Sequence, residues 1–89
     1  MEIKAYFRRE ERYEGLQLVY GADETAKKTI LDAIAKTQSE SALRPKIMEN
    51  CDITQPEKCA IYLEFEDDYD REGGAFFEKL LKTLGISCS

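Results

Sequence analysis

The chain contains no histidine. That absence removes Ser-His and Cys-His nucleophilic catalysis and most zinc chemistry. No run approaches ~18 consecutive apolar residues, so no segment reads as a transmembrane helix. The opening stretch MEIKAYFRRE lacks the basic-then-apolar order of a secretory signal, which points to the cytoplasm. A glycine-rich phosphate loop is missing too, since Gly73-Gly74 is short and set among acids.

Basic excess is also lacking. The formal net charge is -5. Residues 1–36 carry seven basic and seven acidic side chains, whereas residues 37–89 carry six basic and eleven acidic, so the whole excess lies in the second half. Most nucleic-acid affinity comes from Lys and Arg meeting phosphates, so direct binding of DNA or RNA is not expected, nor is attachment to an anionic membrane. The natural partner of an acidic face is a basic protein surface or a metal cation. The three cysteines, Cys51, Cys59 and Cys88, are an odd count in a chain without an export signal, which fits reduced thiols. Cys51 and Cys59 flank the turn of a predicted hairpin, across which they could face one another, and read as small buried hydrophobes. They have no CxxC spacing, and no cofactor is implied.

What the chain does contain fits one domain spanning 1–89. Ile3, Ala5 and Phe7 alternate with Lys4, Tyr6 and Arg8, the pattern of a half-buried strand. The run from Arg8 to Arg12 reads as a charged hairpin loop. A second strand places Leu16, Leu18 and Tyr20 inward and Tyr13, Gln17 and Val19 outward, and Gly21 ends it. Asp23 is placed to cap a helix running to about Ser39, with Ala26, Ile30, Ala33, Ile34 and Thr37 on its apolar side. Pro45 to Ile53 reads as an edge strand in which Glu49 interrupts the parity of Ile47, Cys51 and Ile53. After the turn Gln55–Lys58, Cys59 to Glu66 is a central strand with Ile61, Leu63 and Phe65 inward. Asp70 or Asp68 caps a last helix whose stripe is Phe76, Phe77, Leu80, Leu81 and Leu84, closed by Gly85 with Ile86 folding back.

The element order is strand-strand-helix, twice. LQLVYG…ILDAIAKT is echoed by IYLEFE…FFEKLLKT at an offset of 45 to 46 residues. The prediction is an α+β fold: a two-layer ββαββα domain whose four-stranded, mainly antiparallel sheet carries both helices on one face.

Two surfaces stand out. Glu64, Glu66, Asp67, Asp68, Asp70 and Glu72 crowd nine residues, opposed by Arg71 alone. Asp68-x-Asp70-x-Glu72-Gly73 opens like a calcium loop, but Lys79 stands where the closing glutamate belongs and a strand, not a helix, precedes it. The bland alternative is a solvated turn whose acids favour a helix N-terminus. The second surface is the sheet face left uncovered by helices, with Lys4, Tyr6, Arg8, Tyr13, Gln17, Val19, Tyr62 and Glu64. Tyrosines among charges suit protein recognition, because Tyr offers contact area with few rotamers to freeze. The carboxylates of Glu64 and Glu66 stand in the open, without a pocket to raise a pKa for acid-base work. The expectation is therefore a non-catalytic module binding a basic protein surface through Tyr6, Tyr13, Tyr62, Glu64, Glu66, Asp67, Asp68, Asp70 and Glu72. Size and acidity suit an antagonist of the kind phages and mobile elements encode. The alternatives are a homodimeric self-assembly domain and a weak calcium binder.

Overall fold

A computed structural model describes residues 3–52, 54–66 and 72–86. The elements run β1 (Lys4–Glu10), β2 (Tyr13–Val19), α1 (Glu24–Ser39), β3 (Lys46–Asn50), β4 (Ala60–Glu66) and α2 (Glu72–Leu84). The four strands form one sheet in the order β1-β2-β4-β3, and all three pairings are antiparallel. This is the predicted α+β, ββαββα architecture. Among the described residues no helix is long and apolar enough to cross a membrane.

Period-2 alternation fixes which side of the sheet is buried. Leu16 pairs with Leu63 and Leu18 with Ile61, all inward, and the four side chains are essentially without solvent contact. Both helices cover this side: Ala26, Ile30, Ala33 and Ile34 of α1 and Phe76, Phe77, Leu80 and Leu81 of α2 belong to the same buried cluster. Each large side chain so enclosed contributes about 1.5–3 kcal/mol relative to exposure. Phe65 meets both Phe76 and Phe77 at ring separations of 5.6 and 5.3 Å.

The helix ends follow their sequence signals. Asp23 Oδ1 accepts from the amides of Thr25 (3.0 Å) and Ala26 (3.2 Å), satisfying donors that the first turn of α1 leaves over. At the end of α2, Gly85 takes φ +73° while its N–H donates to the Lys82 carbonyl and that of Ile86 to Leu81. That pair of bonds is a Schellman stop, and the left-handed residue it needs is the glycine. The predicted caps Asp68 and Asp70 lie outside the described residues, as do Ile53 and Cys88.

Two expectations are corrected. The charged run from Arg8 is not a loop: β1 continues to Glu10, and a two-residue turn, Glu11-Arg12, joins it to β2. The charges are accommodated within the strand, because Arg8 pairs with Glu10 on one face at 2.6 Å and Arg9 with Glu14 on the other at 2.8 Å. The thiols of Cys51 and Cys59 are not reduced but joined as a disulfide, and of the two expected buried side chains only Cys59 is buried, Cys51 being exposed just past the end of β3. The β3–β4 register ends on Asn50 opposite Ala60, which sets Cys51 directly across from Cys59, and an odd cysteine count carries no information about such a placement.

Candidate functional site

The uncovered face of the sheet is built by the residues whose neighbours in each strand point into the core. The registers arrange them in rows: Lys4, Val19, Ala60 and Asn50; Tyr6, Gln17, Tyr62 and Met48; Arg8, Gly15, Glu64 and Lys46; then Glu10, Tyr13 and Glu66. Tyr6, Tyr62, Tyr13 and Glu64, picked from sequence parity, thus share one surface. Tyr6 and Met48 are 41% and 37% exposed.

Gly15 sits at the low point of this face. A Cβ built there would lie 2.5 Å from the hydroxyl oxygen of Tyr13, so the Tyr13 ring lies across the glycine. Around it is an open depression of about 260 Å³ whose walls include Tyr6, Arg8, Gln17, Tyr62 and Glu64. The side chains are cross-braced. Gln17 Nε2 donates to the Tyr62 hydroxyl at 3.2 Å. Burial pushes the Tyr13 phenol above its ordinary pKa, helped by the charge of Glu64 and the hydrogen bond that Glu64 accepts from it, while Arg8 acts in the opposite sense. Tyr13 and Tyr62 are therefore held in place before any partner arrives, which lowers the entropy lost on binding.

Charges of both signs share the face, with Arg8, Glu64 and Lys46 together in the third row and Arg8 paired with Glu10. Glu10 and Glu66 flank Tyr13 in the last row, whereas Lys4 stands in the first. From Glu66 the chain runs into Asp67, Asp68 and Asp70, which lie outside the described residues, as does the calcium-loop geometry. Glu72 is exposed in the first turn of α2. Among the described residues no three His, Cys, Asp or Glu side chains gather as they would to hold a metal.

No protein-family model, curated protein or solved structure matches this chain.

Sequence parity missed several members of the surface. The residues of β3 that reach it, Lys46 and Met48, were hidden because Glu49 breaks the apolar pattern used to place that strand. Gly15 carried one usable signal, a glycine inside a strand, which marks close approach of another group. On the covered side, Glu14 shares the parity of Leu16 and Leu18 and is fully buried, with the Arg9 guanidinium at 2.8 Å. A Cβ at Gly74 would stand 2.8 Å from Arg9 Nη2 and 3.4 Å from Glu14 Oε1, so the pair is lodged against the first turn of α2. The positive end of that helix favours the carboxylate.

Proposed function

We propose that this protein is a non-catalytic binding module, an antagonist that occupies a basic surface of a partner protein. The observation that carries the reading is the uncovered sheet face, where Tyr6, Tyr13 and Tyr62 surround the depression over Gly15 beside Glu64. Tyrosines anchor protein interfaces because each combines apolar area with a polar tip. Glu66, continued in sequence by Asp67, Asp68 and Asp70, supplies long-range attraction to a cationic partner and orients its approach. The cytoplasm remains the proposed compartment, and there the Cys51–Cys59 pair would meet reducing conditions.

The test is affinity capture from a host lysate at low and moderate salt, comparing wild type with Tyr62→Ala and with Asp67, Asp68 and Asp70 all changed to Lys. A basic protein retained by wild type should be weakened about 30-fold by Tyr62→Ala, the usual effect of truncating an interface anchor. The charge-reversed variant should lose it at both salt concentrations. A partner captured equally by all three chains would mean that neither the tyrosines nor the acidic run recognises it, and the reading would be abandoned.

A further inference from the structure

The sheet has two outer strands, β1 and β3. With two residues in its turn and an unbroken register to β2, the closing pair Glu10 and Tyr13 is hydrogen-bonded across the hairpin. Alternation then directs the backbone groups of Lys4, Tyr6 and Arg8 toward β2, and those of Ala5, Phe7 and Arg9 toward the outer edge. Among the described residues no strand pairs with that edge. Phe7, 37% exposed, stands on it.

We propose that β1 pairs antiparallel with β1 of a second copy, with Phe7 on the twofold axis, giving a continuous eight-stranded sheet. The charges choose this register. Centred on Phe7, Lys4 faces Glu10 of the other copy and Tyr6 faces Arg8, each contact occurring twice. The two neighbouring registers that keep both core faces aligned are centred on Tyr6 and on Arg8. The first sets Lys4 against Arg8 and the second sets Arg8 against its own copy, and like charges directly opposite are unfavourable. A shift by one residue would turn the core side of one copy toward the open side of the other.

The layer beneath the sheet agrees. Phe7 packs edge-on against Phe77 at 5.9 Å, with the Arg9 guanidinium 5.3 Å from the Phe7 ring, and an open groove of about 180 Å³ runs along Phe7, Arg9, Phe77, Glu78 and Leu81 at this margin. The twofold would bring the Phe7 rings together and set one α2 beside the other, enclosing the groove from both sides. Arg9 of one copy falls opposite Ala5 of the next, a small and fully buried residue that leaves its Glu14 contact undisturbed. The other outer strand, β3, is a poorer template. It has five residues, follows Pro45, and self-pairing about Met48 would oppose Ile47 to Glu49.

Sedimentation velocity over a wide concentration range tests the proposal with the full chain, the Lys4→Glu and Glu10→Lys single variants, and the double variant. Wild type should sediment as a dimer. Each single variant creates two like-charged pairs across the axis and should weaken the dimer about ten-fold or more. The double variant restores opposite charges in exchanged order and should recover most of that loss. Circular dichroism on the same samples reports whether each chain is folded, and both changed side chains are exposed. A folded wild type that stays monomeric at millimolar concentration overturns the proposal. So does a dimer insensitive to the single changes, or one that the double change fails to restore.

Discussion

Glu49 lies on the inward side of β3, opposite Ile61, and one of its oxygens, Oε2, accepts both the Tyr20 hydroxyl at 2.6 Å and the Lys27 ammonium at 2.8 Å. These contacts hold its carboxyl below the usual carboxylate range, Lys27 contributing first and Tyr20 second. Burial, then the bond to Glu49, pushes the Tyr20 phenol well above its ordinary value of 10.0. The two shifts act at opposite ends of the pH scale. A depressed carboxyl stabilises the fold above its unfolded value of 4.5, and that contribution is lost as pH falls through the lower folded value. A raised phenol stabilises the fold below 10.0 and loses its contribution as pH climbs beyond it. Urea midpoints measured across pH should therefore decline on both sides of a plateau, with Glu49→Gln flattening the acid limb and Tyr20→Phe the alkaline one. Parallel acid limbs for wild type and Glu49→Gln would show that the carboxyl titrates alike in folded and unfolded chains. In the sequence this residue is visible only as an interruption of an apolar parity. Its meaning depends on Tyr20 and Lys27, which lie 29 and 22 positions away in the chain, and local pattern does not encode that proximity.

The hairpin of β3 and β4 shows what an element can borrow from a covalent bond. Every residue of β3 is exposed, so the strand is held by its ladder to β4, by Glu49, and by the disulfide closing the loop from Cys51 to Cys59. A loop of that length, closed in the unfolded chain, raises stability by about 2–3 kcal/mol on the chain-entropy account. Cys51→Ser should remove roughly that amount in urea unfolding and speed amide exchange at Ile47 through Asn50, and reduction of wild type should reproduce both effects. If stability and exchange are unchanged, the ladder and Glu49 suffice without the staple. The helices, in contrast, are readable where their signals are local: Asp23 before α1, Gly85 after α2, and the stripe of apolar residues along each. The charged end of the β1 hairpin is not legible locally, because a run of Arg and Glu looks like a loop until its partners, Glu14 among them, are known.

At the level of the molecule, the sequence echo has a geometric counterpart. The offset of 45 carries Leu16 to Ile61 and Leu18 to Leu63, and the register joins Leu16 to Leu63 and Leu18 to Ile61, as a twofold through Gln17 and Tyr62 requires. At the offset of 46, Thr37 and Thr83 correspond, and each hydroxyl donates to the carbonyl four residues earlier. The strand order β1-β2-β4-β3 is unchanged when the two halves are exchanged. Amphipathic periodicity alone did not distinguish a repeat from coincidence, since the matching positions are those that any core-facing strand and helix would make apolar. Each half is a ββα unit, and the only covalent passage between the halves is the segment from Glu40 to Pro45. The fold is expected to form without continuity of that passage. Chains cut after Ser41 and supplied as separate pieces, 1–41 and 42–89, should each be largely unstructured, being near the size at which a core fails on its own. Mixed in equal amounts, they should recover the circular dichroism of the intact protein, guided by the seven residue pairs of β2 with β4 and by the packing of α1 on α2. Pieces that stay unfolded together would assign the passage a structural part of its own. Pieces that reassemble would make this protein a two-component switch, in which the fold reports that two tethered chains have met.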